Sequence, residues 1–251
     1  MIQLALIGIG TGNPDHLTLA AVNTLAQADV VLLPRKGKAK SDLLDLRRLI
    51  CERWLSAKAN IVEFDLPTRA AQGDYQQNVR QWHDAIAHCW QQLLATHCPQ
   101  GGRAALLIWG DPSLYDSSLR ITERLEAAGL PINVTVVPGI TSLQVLTAAH
   151  RIPLNAIGAP VHITTGRQLR EQGWPDGIDR VAVMLDSGGA FTTLPNPEHY
   201  DIWWGAYLGM PEQSLMAGRL DRISEPLLQH RQHLRDTQGW IMDIYLLARR
   251  G

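Results

Sequence analysis

Leu4-Ala5-Leu6-Ile7-Gly8-Ile9-Gly10-Thr11-Gly12-Asn13-Pro14-Asp15 is the stretch whose reading decides the fold. Leu4 to Ile9 is a short, nearly continuous apolar run. Such a run suits a strand buried on both faces of a parallel sheet. Gly8, Gly10 and Gly12 follow at alternate positions. Glycine takes positive φ at little cost and lets backbone approach a ligand closely, because no Cβ stands between them. Pro14 stiffens the exit, and a helix starts near Thr18 with Leu19, Val22, Leu25 and Ala26 on one stripe. Strand, glycine-rich turn and helix build a nucleotide-binding corner. A plain structural turn has the same composition, so both readings stand at this point.

Two versions of that corner are excluded. The dinucleotide fingerprint needs a third glycine where Asn13 stands, and an acid after the second strand. That strand reads Val30-Val31-Leu32-Leu33 and ends in Pro34-Arg35, a base. A phosphate-binding loop needs Gly-Lys-Ser/Thr, which is absent.

The 251 residues suffice for one large or two small domains, and 45% hydrophobic content supports a real core. A net charge of −1 argues against a nucleic-acid binder. No apolar run is long enough to span a membrane, and the N-terminus has no signal-peptide pattern. Cys51, Cys89 and Cys98 form no Cys-x-x-Cys pair, which suits a reducing cytoplasm. The nine histidines are dispersed, and His230 with His233 lacks partners for a metal set, so no metal is expected.

Alternation continues along the chain. A basic segment, Arg35-Lys36-Gly37-Lys38-Ala39-Lys40, precedes a helix from Ser41-Asp42. A strand at 61–66, a long helix at 75–96 and a strand at 104–108 follow. Then come a helix at 119–128 closed by Gly129 and a strand at 134–137. A helix capped by Thr141 or Ser142 runs to about His150. This pattern predicts a mostly parallel sheet with helices on both faces. Beyond Ala159-Pro160 the strands crowd together at 162–165, 181–186, 202–207, 214–220 and 240–247, with a helix at 225–235. That spacing predicts a smaller second α/β domain with a mixed or antiparallel sheet, so the domains are expected at 1–158 and 159–251.

Three strands of the first part end in glycine turns: Gly8 to Pro14, Gly110-Asp111-Pro112, and Pro138-Gly139-Ile140-Thr141-Ser142. Ligands in open α/β sheets bind at the carboxyl ends of strands. The three turns read either as one pocket with close backbone approach or as ordinary strand-helix punctuation.

Here the chain resembles the tetrapyrrole methylases. The resemblance is carried by Gly8 to Pro14 with Leu17-Thr18-Leu19, by Ala28-Asp29-Val30-Val31, by Gly110-Asp111-Pro112 and by Val137 to Ser142, in that order. A closer likeness, to members acting on precorrin-5, is carried by Lys36 to Leu43, Asp74-Tyr75, Trp82-His83, Trp204 to Gly209 and Gly239 to Asp243. The resemblance implies a two-domain α/β fold with S-adenosyl-L-methionine in the cleft between domains. It implies methylation of C1 of precorrin-5 with loss of its acetyl group as acetate, in cobalamin biosynthesis.

Family cofactor contacts fall by this resemblance on Pro14, Gly110, Asp111, Thr141 and Ser142, and on Asp186, Leu208 and Met242 in the second domain. Gly10 leaves room beside them. Arg35, Lys36 and Lys38 are the expected partners of the substrate's carboxylates. A homodimer is expected, with Trp203, Trp204 and Trp240 as interface or core residues. Methyl transfer needs donor and acceptor held in line more than it needs acid or base. Deacetylation needs an oxyanion stabiliser and a base. Tyr115 is the expected hydrogen-bond donor and Asp15 a second catalytic candidate, with His16 and Asp116 close by. Asp15 and Asp116 also read as a turn closer and a helix cap. The rival readings are a methylase for another ring position and a non-catalytic S-adenosylmethionine-binding protein. A dehydrogenase is disfavoured by Asn13 and Arg35.

Overall fold

The computed structural model describes residues 1–35, 41–70 and 72–250. The chain forms two compact units, Met1–Ile140 and Thr141–Gly251.

The first unit holds β1 (Ile2–Gly8), α1 (Leu19–Ala26), β2 (Val30–Arg35), α2 (Ser41–Trp54) and β3 (Asn60–Asp65). It continues with α3 (Tyr75–His97), β4 (Gly102–Ile108), α4 (Ser118–Ala127) and β5 (Ile132–Val137). Its five strands run in the order β3-β2-β4-β1-β5, and every pairing is parallel. All five therefore end on one edge. Successive side chains of a strand point to opposite faces, and both faces of β1 are covered. Leu4 and Leu6 pack with Ile86, Trp90 and Leu94 of α3 and with Ile121 and Leu125 of α4. Ile7 and Ile9 pack with Ala21 and Leu25 of α1 and with Ile50 and Cys51 of α2. That double burial is why the strand reads as an unbroken apolar run. Thr18 accepts the Ala21 N–H at 3.1 Å, and Asp74 accepts the Gln77 N–H at 2.7 Å. These caps start α1 and α3 where the sequence places them.

The second unit holds α5 (Ser142–His150), β6 (His162–Thr165), α6 (Gly166–Gln172), β7 (Arg180–Met184), β8 (Tyr200–Ala206), β9 (Ser214–Arg219), α7 (Leu220–Gln238) and β10 (Asp243–Arg249). Its strand order is β6-β7-β10-β8-β9. Only β6 and β7 are parallel, so the sheet is mixed. The units divide after Ile140 rather than after residue 158, because α5 packs on β8. His150 Nε2 lies 2.9 Å from the Trp204 carbonyl oxygen. A Cβ on Gly205 would stand 3.0 Å from Leu146 Cδ1. α6 is too short to show helical periodicity in sequence. α7 begins at Leu220 and carries Pro226 inside it, although proline is most at home in a first helical turn.

A buried polar network ties this unit together. The Asp186 carboxylate accepts from Arg170 Nη1 at 2.8 Å, the Tyr245 hydroxyl at 2.8 Å, the Gly188 N–H at 3.1 Å and the Ala190 N–H. Arg231 donates to Asp243 Oδ2 at 2.7 Å and to the Asp186 carbonyl at 2.8 Å. Trp204 Nε1 donates to the same Asp243 at 2.8 Å. Trp204 and Trp240 are both buried, so they are packing residues of this unit.

Burial alone would raise the Asp186 carboxyl, but the hydrogen bonds it accepts hold it below the ordinary 3.8. Its stabilising effect is therefore complete above about pH 4 and fades as pH falls through the folded value. Asp186→Asn is expected to cost about 2–3 kcal/mol at pH 7 in urea unfolding. The gap to the parent protein should narrow below about pH 4; a gap constant with pH would contradict this role.

Candidate active site

The three glycine turns leave the same edge of the first sheet, because β4 and β5 flank β1. The Ile9 N–H donates to the Ile108 carbonyl at 2.9 Å, extending the ladder by one step. The Gly110 N–H then donates to the Gly10 carbonyl at 2.7 Å, and the Gly10 N–H to the Gly110 carbonyl at 3.2 Å. Gly10 and Gly110 have φ of 74° and 68°, the left-handed region where a side chain is strained. On the far side of β1, Gly139 lies directly against Gly8. A Cβ on Gly8 would sit 2.6 Å from the Gly139 nitrogen, and a Cβ on Gly139 would collide with the Gly110 carbonyl oxygen. Three backbone segments meet here with no space for side chains between them.

Asp111 fastens this junction. Its Oδ2 accepts the Gly139 N–H at 2.8 Å, and its Oδ1 accepts the Ser113 N–H at 2.8 Å together with the Ser113 hydroxyl. Asp111 is 8% exposed. Burial would raise its carboxyl, but the hydrogen bonds from Ser113 and Gly139 hold it below the usual carboxylate range. Asp111 thus joins two turns as a fixed anion, and its oxygens are occupied. Asp-x-Ser is the sequence signal for the local half of this arrangement, since aspartate side chains bond the N–H two residues on. The half that reaches Gly139 has no local signal.

Gly110 differs from Gly8 and Gly139. A Cβ there would meet nothing within 4 Å, so open space faces this glycine. Pro14 opens a short 3₁₀ turn, Pro14–His16, which Asn13 closes by accepting the Asp15 N–H at 2.9 Å. Asp15 is exposed and pairs with Arg53 of α2 at 3.3 Å. Asn13, not Asp15, is the turn closer. Asp116 accepts the Ser118 N–H at 2.7 Å and so caps α4. Among the described residues, the Thr11 hydroxyl and His16 Nδ1 are buried without a hydrogen-bond partner. Such groups cost about 1–3 kcal/mol each, and both lie on the turn after β1. Tyr115 is 44% exposed and takes φ of 51°, a conformation that is costly for a bulky residue. Partial burial raises its hydroxyl above the usual tyrosine value, so it stays a proton-bearing donor at neutral pH.

The expected basic patch is only partly described. Arg35, at the end of β2, holds Asp65 at the end of β3 through paired contacts of 3.0 and 2.9 Å. Lys36 and Lys38 lie outside the described residues. Beside Arg35 opens a cleft of about 570 Å³, lined also by Asp65, Thr68, Arg69 and Trp82. Nothing in the sequence marks this cleft, because residues 67–74 look like any polar loop.

In the second unit, Thr141 is the N-cap of α5 in a capping box with Gln144, and Ser142 is the first helical residue. Asp186 is consumed by the network above. Leu208 is 4% exposed. The Met242 carbonyl accepts the Tyr207 N–H at 3.0 Å.

The profile of the tetrapyrrole (corrin/porphyrin) methylases matches residues 3–224. A precorrin-6A synthase (deacetylating) from Sinorhizobium sp is 45% identical over 252 residues, covering 99% of this chain and 96% of that protein. The crystal structure of a cobalamin synthesis related protein (CobF) from Corynebacterium diphtheriae superposes with a TM-score of 0.86 at 40% identity, covering 100% of both chains. A Thermus thermophilus uroporphyrin-III C-methyltransferase complexed with S-adenosylhomocysteine shares the fold, with a TM-score of 0.60 at 20% identity over 98% of this chain and 97% of that one. The chain belongs to the tetrapyrrole (corrin/porphyrin) methylases.

Proposed function

We propose that this protein transfers a methyl group from S-adenosyl-L-methionine to C1 of precorrin-5 and removes the acetyl group, giving precorrin-6A, acetate and S-adenosylhomocysteine in cobalamin biosynthesis. The observation that carries this reading is the 45% identity, sustained over 99% of the chain, to a deacetylating precorrin-6A synthase. The glycine junction supports it physically. S-adenosylmethionine is a compact nucleoside whose sulfonium reacts without metal or strong base, so its enzyme must chiefly hold donor and acceptor in line. Closely approached backbone, with open space in front of Gly110, suits that task.

In this reading Gly10, Pro14 and Gly110 line the cofactor, while Asp111 acts by holding the Gly110 turn against Gly139. The proposal includes Thr141, Ser142, Asp186, Leu208 and Met242 as further cofactor contacts. For Thr141 and Asp186 the contacts would be through backbone, since their side chains are engaged in a helix cap and a buried network. The substrate is a polycarboxylate, for which Arg35, Lys36 and Lys38 supply positive charge. The same reading makes the protein a cytoplasmic homodimer with no nucleic-acid or membrane partner.

The direct test supplies precorrin-5 and S-adenosylmethionine and follows products by mass spectrometry. One methyl gained, one acetyl lost and one acetate released per turnover are expected. Methylation of another precorrin with no acetate would overturn the reading in favour of a methylase for another ring position. A second test replaces Lys36 and Lys38 by alanine. KM for precorrin-5 should rise a few-fold, at about 0.2–1 kcal/mol per charge removed, and its salt dependence should flatten. S-adenosylhomocysteine affinity should stay unchanged; an unaltered KM would assign the basic segment elsewhere.

A further inference from the structure

Ser117 ends the loop that leaves the junction after β4, and His83 lies in the N-terminal half of α3. Trp82, its neighbour in sequence, lines the cleft with Arg35 and Asp65, so this end of α3 lies at the carboxyl edge of the sheet. His83 Nε2 is 2.9 Å from Ser117 Oγ. His83 is 4% exposed and Ser117 half-buried.

The serine is in an unusual service. It occupies the N-cap position of α4, where a hydroxyl normally accepts a helix N–H, yet its side chain makes no cap hydrogen bond. Asp116 takes the Ser118 N–H instead, at 2.7 Å. The Ser117 hydroxyl is turned to the imidazole. Four charged groups act on that imidazole. Burial, together with Arg124 and Arg120 on α4, holds it below its ordinary pKa, while Asp84 on α3 and Asp116 before α4 pull the other way. Arg124 is itself tied to Asp84 at 2.7 Å. At neutral pH the imidazole is therefore the proton-accepting form. A hydroxyl within hydrogen-bond reach of a neutral imidazole is the pattern of an acyl-transfer nucleophile and its base. Tyr115, two residues ahead of Ser117, stands in its strained conformation with a proton-bearing hydroxyl.

We propose that Ser117 and His83 carry the deacetylation as nucleophile and general base, an inference that rests on the precorrin-5 reading above. His83 Nε2 takes the Ser117 proton as Oγ adds to the acetyl carbonyl carbon, and Tyr115 donates a hydrogen bond to the oxyanion. The carbon–carbon bond to the macrocycle breaks, its electron pair passes into the conjugated ring, and the acetyl group is left as an ester on Ser117. His83 releases its proton to solvent and then takes one from a water molecule. The resulting hydroxide adds to the ester, Ser117 Oγ leaves and regains the proton, and acetate departs. Over the whole reaction the ring gives up an acyl-cation equivalent and gains a methyl-cation equivalent, so no oxidant or reductant enters. Asp15, exposed and paired with Arg53, is not needed.

The test uses the full-length protein with precorrin-5 carrying a labelled acetyl group. Acid-quenched parent enzyme should carry the label on the peptide containing Ser117, and added hydroxylamine should divert acetate to acetohydroxamate. Ser117→Ala should lose both and release acetate at least about 100-fold more slowly, with S-adenosylhomocysteine affinity retained as proof of folding. His83→Gln keeps a hydrogen bond to Ser117 but no proton acceptor, and it should lower kcat as strongly without raising KM. Undiminished acetate release by either variant would overturn the proposal while leaving the precorrin-5 reading intact. Parent enzyme that methylates without any acetate would remove both.

Discussion

The hydrogen bond from the Gly139 N–H to the Asp111 carboxylate, 2.8 Å long, joins the turn after β5 to the turn after β4 across the end of β1. Backbone segments cannot come this close unless side chains are absent where they touch, and Gly8 and Gly139 satisfy that condition. The bond also fixes which way the Gly110 turn faces. With Asp111 held down and Gly10 paired to Gly110, a Cβ on Gly8, Gly10 or Gly139 would meet a neighbour within 4 Å, whereas one on Gly110 would meet none. The carboxylate is valuable as a fastener because it is buried and fully hydrogen-bonded, not because it is charged toward a ligand.

The second unit solves a different problem with the same kind of device. Asp186, Tyr245, Arg231, Asp243 and Trp204 form a buried polar network in which each carboxylate accepts several donors. Removing one partner from such a network leaves others unmet, which is why its loss is costly. Both acidic residues that the family resemblance places among cofactor contacts, Asp111 and Asp186, thus turn out to position backbone through their side chains. Within each unit a buried, hydrogen-bonded carboxylate holds the loop beside it in place.

Much of this was legible in the sequence, for identifiable reasons. Leu4 to Ile9 read as a strand buried on both faces because both faces are covered by helices. The helix start near Thr18 and the cap at Thr141 or Ser142 were legible because capping is a local interaction. The convergence of three glycine turns followed from the parallel sheet. What the sequence withheld is long-range. Gly8 against Gly139 and Arg35 with Asp65 are encounters that tertiary folding alone creates. The Ser117–His83 contact is of the same kind, with its partners 34 residues apart in the chain. The helix expected at 225–235 begins earlier, at Leu220, where Arg219 makes no side-chain cap that would mark the start locally.

The central claim is that open space at Gly110 receives the methyl donor. Calorimetric titration of S-adenosylhomocysteine into Gly110→Leu and Gly110→Ala tests it most directly. Both variants carry the same positive-φ cost, but only leucine fills the space. The account predicts that Gly110→Leu binds at least about tenfold more weakly than Gly110→Ala, a difference of about 1.4 kcal/mol. Equal affinity in the two folded variants would contradict it.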